Sequence, residues 1–259
     1  MCGRFVLFTT SDPLLHAAAD IAPYGELLAP HGTPAERYNI APTQKIAIVR
    51  PDGSGRRTGT QMTGAEDHNG VGILEPARWG LFPHWKKDEK GPTLFNARAE
   101  TVTEKPSFRD AFKKTRCIIP MDGYYEWHTQ DKTKTPYLVH LAAEAGENSE
   151  DSAGEFVTGK TPLMWAAGLY SFGLQQLSAT IITTDSLAPI DWLHDRMPRF
   201  LTRDEVEQWL VGDADDAKEL LHPTPDELRG RFVTTEVDSR VGNVRNDSAD
   251  LLRPVDKLL

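Results

Sequence analysis

Arg116-Cys117-Ile118-Ile119-Pro120-Met121-Asp122-Gly123-Tyr124-Tyr125-Glu126-Trp127-His128 reads as two short strands about a turn. Cys117-Ile118-Ile119 is an apolar run with two β-branched residues, and 124–128 is rich in aromatics, so both favour extended chain. Asp122-Gly123 between them is a hairpin-type turn signal. Working outward, strand patterns recur at Arg4 to Phe8, Ile46 to Val49, Pro136 to Leu141, Leu163 to Tyr170, Ala179 to Thr184 and Arg231 to Val237. Arg37 to Gln44 is extended chain leading into the second of these, and Val71 to Phe82 is a strand broken by Pro76.

Helical signals are fewer and shorter. Ser11 or Asp12 caps a helix with Pro13 in its first turn and Leu14, Leu15, Ala18 and Ile21 on one face. Phe108 and Phe112, four apart, mark a short helix near Ser107 to Thr115. Thr202 and Glu205 form a capping box that points Val206, Trp209 and Leu210 inward, and an acidic helix covers Asp215 to Leu221. Leu187 to Leu193 is a short helix or turn, and Pro23 to Pro34 is loop. Strands and helices do not alternate as βα units, which excludes a doubly wound parallel sheet. The expectation is a mainly antiparallel α+β fold in a single domain over residues 2–237. Polar insertions fall near 51–70 and 143–160, and a C-terminal tail near 238–259.

The chain has 259 residues, 39% hydrophobic and 26% charged, as in soluble globular proteins. No apolar run approaches a membrane span, and residues 1–20 lack a signal-peptide pattern, so a cytoplasmic protein is expected, as a monomer. Cys2 and Cys117 make neither a disulfide framework nor a metal-binding pair, and Cys117 reads as a buried core thiol. No metal site and no cofactor are expected: there is no HExxH, no GxGxxG after a strand and no GK[ST] phosphate loop. The net charge of −9 argues against nucleic acid, yet Arg78 to Arg116 carries a local basic excess (Lys86, Lys87, Lys90, Lys105, Arg109, Lys113 and Lys114 among others) able to bind phosphate.

Cys2 follows the initiator Met1, and aminopeptidases remove Met before a small residue. Trimming leaves one residue with a free α-amine near pKa ~8 and a thiol near ~8.5. An aldehyde condenses with such an amine to an imine, and the neighbouring thiol closes a thiazolidine; the second step gains from proximity. Glu126, between Tyr125 and Trp127, either faces solvent by alternation or lies inward, where desolvation suits a carboxyl to acid–base work. His194 is either a structural loop histidine or a proton carrier. Asn96 and Arg98, two apart, share one strand face and suit a sugar oxygen and a phosphate. Arg4 and Arg78 are further phosphate candidates. Trp79, Phe82 and Trp85 are either core or base-stacking.

Six segments resemble the SOS response-associated peptidase family, the abasic-site processing or SRAP proteins. They are Cys2-Gly3-Arg4-Phe5, Arg37-Tyr38-Asn39-Ile40-Ala41-Pro42-Thr43, Arg78-Trp79-Gly80-Leu81, Asn96-Ala97-Arg98-Ala99-Glu100-Thr101, Gly123 to Trp127, and His194-Asp195-Arg196-Met197-Pro198. The resemblance implies one α+β domain built on curved antiparallel sheet. It implies a covalent link between Cys2 and abasic sites in single-stranded DNA, in an activity associated with peptidase and lyase chemistry and at the nucleoid when engaged. Asn96 would position the Cys2 end or the opened sugar, Glu126 and His194 would move protons, and Arg4, Arg78, Trp79, Arg98 and Arg196 would meet DNA. Two other readings stand beside it: an N-terminal-nucleophile amidohydrolase using Cys2, and a non-covalent single-stranded-DNA binding module.

Overall fold

Alternation along the first strand sets up two layers of core. In β1 (Phe5–Leu7), Phe5 and Leu7 enter the main apolar cluster, while Val6, with Phe8 just beyond the strand, enters a second cluster on the other face. The computed structural model describes residues 2–53, 70–143 and 161–255. Most of the expected insertions at 51–70 and 143–160 lie outside the described residues.

Helix α1 (Ser11–Ile21) buries Leu14 and Ala18, on the expected face. Its N-cap is Thr10, without a side-chain cap bond, and neither Ser11 nor Asp12 caps it; Ser11 has φ 54 and enters the helix from the left-handed region. The Pro23 to Pro34 stretch, expected as loop, includes β2 (Glu26–Leu28), which has no alternation to reveal it and pairs in parallel with a later edge. β3 (Arg37–Ile40) and β4 (Lys45–Pro51) follow.

β5 (Val71–Trp79) runs unbroken through Pro76. One edge of β5 pairs with β4, and the other is covered by β2 at 71–73 and by a later strand at 78–79. Pro76 falls in the uncovered gap, where a missing N–H leaves no ladder bond unmade. β6 (Asn96–Arg98) and α2 (Arg109–Lys114) lead to β7 (Arg116–Met121) and β8 (Gly123–Gln130).

The decisive stretch is not a hairpin. β7 pairs with β4 in one sheet, and β8 pairs with β1 in the other, so Asp122 is the corner where the chain changes sheets. The Asp122 carboxylate accepts from Phe8 N–H at 2.8 Å, Thr9 N–H at 2.9 Å and the Thr9 hydroxyl at 2.6 Å. These bonds replace the ladder that a hairpin would have supplied. Gly123 is needed there, because a Cβ would stand 2.9 Å from the Leu138 side chain and 3.1 Å from the Val139 carbonyl.

β9 (Thr133–Leu141), β10 (Met164–Gly173), β11 (Gln176–Asp185) and β12 (Arg196–Pro198) complete the central strands. The Leu187 to Leu193 stretch is turn. α3 (Arg203–Val211) has the expected Thr202/Glu205 capping box and buries Val206, Trp209 and Leu210. α4 (Ala214–Glu219) is capped reciprocally by Asp213 and Asp216, and α5 (Asp226–Arg229) precedes β13 (Phe232–Glu236).

The five-stranded sheet has the order β13-β9-β8-β1-β3, antiparallel throughout. The larger sheet runs β12-β11-β10-β7-β4-β5-β2, with β6 beside β11. A parallel contact between β11 and β5 closes β5-β4-β7-β10-β11 into a barrel. The fold is therefore the sheet-dominated α+β class expected, with the main core between barrel and sheet.

The segment from residue 238, expected as a tail, packs as part of the domain. Val241, Leu251 and Leu252 are buried against Val6, Phe8, Tyr125 and Leu138 on the outer face of the five-stranded sheet. Its polar sequence concealed this, because the attachment is largely backbone carbonyls. Asn39, fully buried, donates through Nδ2 to the carbonyls of Val241 at 3.1 Å, Asn243 at 3.1 Å and Asn246 at 2.7 Å.

Candidate active site

Cys2 precedes β1 and is fully buried in the main core cluster. The β1–β8 ladder pairs Phe5 with Tyr124, which places Tyr124 and Glu126 on one face of β8. That face is the one toward the main core, since Tyr124 belongs to the same cluster as Cys2. Glu126 is 5% exposed, so the inward alternative holds and the solvent-facing one does not. It lies close enough for its charge to act on Cys2. Burial, then the Glu126 charge, push the Cys2 thiol up to about 12, against a weak lowering from the Arg4 backbone contact. The side chain is therefore a thiol rather than a thiolate at neutral pH.

Asn96 comes from the barrel side, where β6 pairs with β11. Its Nδ2 donates to the Cys2 carbonyl at 2.7 Å, a bond that joins barrel and N-terminus. Its Oδ1 is buried and has no hydrogen-bond partner among the described residues. Arg98, on the same side of β6, is exposed.

His194 stands just before β12, with its side chain 30% exposed. Its Nδ1 is 2.9 Å from the Arg196 N–H and 2.6 Å from Asp195 Oδ1. The first contact needs a bare nitrogen and the second a protonated one, so the proton's position decides which is made. The loop carrying His194 reaches the Glu126 strand through Trp192, whose ring lies 5.0 Å from Tyr137 and 5.2 Å from His128. Tyr137 is the cross-strand partner of Glu126, and His128 is two residues along the same face. Cys2, Asn96 and Glu126 thus meet where barrel and sheet join, and the loop carrying His194 packs on the Glu126 strand pair through Trp192. A cavity of about 550 Å³ lined by Pro13, Ile21, Met164, Trp165 and Phe232 lies apart from these residues.

The expected DNA-contacting residues divide by exposure. Trp79 is fully buried, meets Phe5 edge-on at 5.1 Å and donates its indole N–H to the Phe95 carbonyl at 2.9 Å. It has no face for a base, so the stacking alternative is corrected to core. Arg196 is 8% exposed and bonds Glu100 at 2.7 and 3.0 Å, Asp185 at 2.5 Å and the Thr183 carbonyl at 2.7 Å. It serves as a brace holding β12 to β11, with its donors directed at carboxylates rather than at open solvent.

Arg4 donates to Asn39 Oδ1 and the Val241 carbonyl, both at 2.8 Å, and lies 5.9 Å over Trp127. Burial lowers its pKa below the ordinary guanidinium value. Arg78 donates to the Gly80 carbonyl at 2.6 Å and stacks 4.3 Å over Phe82. Arg116, counted in the basic excess, is buried and donates to the carbonyls of Trp209 at 2.6 Å and Phe112 at 2.9 Å, and to that of Gly212. Arg98, Lys105, Arg109, Lys113 and Lys114 remain exposed.

Sequence reasoning passed over Asn39, Tyr124 and Trp192. Asn39 lay inside a quoted segment, and only its three tertiary carbonyl partners reveal what it does. Tyr124 is 1% exposed within the charge range of both Cys2 and Glu126; alternation from Glu126 was the signal that could have found it.

A barrel joined to a five-stranded sheet, with a buried cysteine at position 2 held by an amide from the barrel, defines an α+β protein organised around its N-terminal end. The chain belongs to the SOS response associated peptidase (SRAP) family, whose model matches residues 1–244. Abasic site processing protein YoaM of Bacillus subtilis is 36% identical over 267 aligned residues, covering 97% of each chain. Abasic site processing protein HMCES of Xenopus tropicalis is 32% identical, over 71% of this chain and 58% of that protein. A crystal structure of a Bacteroides thetaiotaomicron protein shares the fold at TM-score 0.70 and 22% identity, covering 98% of this chain and all of the other. No helix among the described residues is long and apolar enough to cross a membrane.

Proposed function

We propose that this protein processes abasic sites in single-stranded DNA by forming a covalent thiazolidine link through Cys2, shielding the lesion until repair. The observation that carries the reading is the Asn96 amide on the Cys2 carbonyl, which fixes residue 2 beside a buried Glu126. The names of the relatives, which are called abasic site processing proteins, support the substrate.

The chemistry follows from the order in which the two Cys2 groups can act. Burial and the Glu126 charge raise the Cys2 thiol and keep it protonated, so the amine freed by loss of Met1 attacks first. Opening the abasic hemiacetal puts a proton on the ring oxygen and takes one from the C1′ hydroxyl, with His194 as the acid. The amine adds to C1′, a proton moves from nitrogen to oxygen, and water leaves with help from Glu126 to give the imine. Sγ then bonds C1′ while its proton passes to nitrogen, closing the ring with one water released overall. Asn96 Oδ1, buried and without a partner among the described residues, offers an acceptor for the freed amine or for a sugar hydroxyl. The amidohydrolase alternative asks for a thiolate in the first step, and the raised thiol weighs against it.

The test is intact mass and adduct formation. The purified protein should start at Cys2 and give a heat-stable adduct with abasic single-stranded DNA. An Ala inserted between Met1 and Cys2 should abolish the adduct and leave reversible DNA binding. Glu126→Gln and His194→Ala should slow single-turnover adduct formation by ~10²–10⁴-fold. A normal adduct from the insertion variant overturns the assignment of Cys2.

A further inference from the structure

The loop from Ser186 to Asp195 is closed at its ends, Ser186 N–H donating to the Asp195 carbonyl at 2.9 Å. Ile190 and Leu193 are buried, at 2% and 4% exposure, and anchor it to the core. Trp192, between them, is 44% exposed. Its ring meets Tyr137 at 5.0 Å and 90° and His128 at 5.2 Å and 61°, so two edge-to-face contacts hold it while much of its surface stays open. Tyr137 stands opposite Glu126, and His128 shares the Glu126 face. Trp192 therefore lies one side chain beyond the Glu126 position, on the side-chain face that Tyr137 and His128 share with it.

We propose that Trp192, braced by Tyr137 and His128, is the stacking platform for the base immediately flanking the abasic nucleotide. This rests on the reading of Cys2 as the abasic-site nucleophile. The occupant is a base rather than a phosphate, because Asp191 and Asp195 beside Trp192 are exposed carboxylates, the latter 84% exposed, and they repel a phosphate. A fixed aromatic accepts any base, since every base has a π-face, and the platform carries no sequence preference. It also compensates for what the lesion removes, since an abasic nucleotide has no base of its own to stack.

The experiment is a cycle between side chain and base. Kd is measured by fluorescence anisotropy for single-stranded DNA holding an unreactive tetrahydrofuran spacer at the target position. Either neighbour is a normal nucleotide or a second spacer. For the wild type, deleting the base on one side should weaken binding roughly 5- to 150-fold, the range for one stacked base. For Trp192→Leu the same deletion should have little effect, and Trp192→Phe should keep part of the coupling. A Trp192→Leu variant that folds and weakens all four DNAs equally, or none, makes Trp192 a loop brace only and overturns the proposal. Wild-type adduct formation on a true abasic site, run in parallel, separates the two ideas. No adduct sinks the Cys2 reading, whereas a normal adduct without base coupling sinks the platform alone.

Discussion

Asn96→Ala isolates the bond that joins the barrel to the N-terminus. The β1–β8 ladder begins with the Tyr125 N–H donating to the Arg4 carbonyl at 2.9 Å, so Cys2 lies beyond its end. The Cys2 thiol contact to the Arg4 carbonyl, at 3.9 Å, is weak. The 2.7 Å bond from Asn96 is thus the main tether of residue 2 among the described residues. Removing it leaves a carbonyl without its donor, at roughly 1–3 kcal/mol. For a chain of this size that lowers Tm by about 2–4 °C per kcal/mol. The effect on chemistry should match the upper end of that range, because a reacting group displaced by about 1 Å loses ~10²-fold in rate. Asn96→Asp should be slower still, since a carboxylate not only lacks the donor but sets a charged oxygen against the Cys2 carbonyl oxygen. Single-turnover adduct formation on denaturing gels, read beside thermal unfolding, gives both numbers. An Asn96→Ala protein that is destabilised as stated but forms adduct at the wild-type rate would refute the view that this amide positions the nucleophile.

Three further outcomes are expected. Arg98→Ala should weaken binding to intact single-stranded DNA and reduce the slope of log K against log salt by about 0.7, while Trp79→Ala should instead cost ~3–5 kcal/mol of stability; salt titrations and urea melts separate them. Truncation after Asp238 should destabilise the whole domain, since it strips the carbonyl partners of Asn39 and the cover of Val6 and Tyr125; a wild-type melt would show the segment to be dispensable. Finally, the Cys2 thiol is raised in the folded state, so the stability it confers is complete below the unfolded pKa near ~8.5 and is lost as pH rises toward about 12, with a slope of up to about 1.4 kcal/mol per pH unit. Cys2→Ala should make the alkaline limb of the stability curve shallower by one group's share, Cys117 and the buried tyrosines supplying the rest, and an unchanged limb would contradict the burial of that thiol.

The sequence by itself settled the class of fold and the family. Strand-favouring runs separated by short capped helices are local properties, and α3 with its Thr202/Glu205 box was readable to within a residue because every part of a capping box lies within one turn. The order of motifs from Cys2 to Pro198 carried the family. Local signals failed where partners are remote. The β8–β9 and β10–β11 hairpins turn on Asp131-Lys132 and Leu174-Gln175, residues with positive φ but no glycine, and the strand pairing on either side holds them there. The Asp-Gly signal at 122–123 marked instead a change of sheet, because Asp122 found its donors in Phe8 and Thr9, more than a hundred residues away. Exposure was likewise a tertiary decision. Arg98 and Arg196 are the same residue type in two strands that both pair with β11, yet one is open to solvent and the other is bound by Glu100 and Asp185. A residue's chemistry is written in its type, but whether that chemistry faces DNA, a carboxylate or the core depends on which distant strand lies beside it.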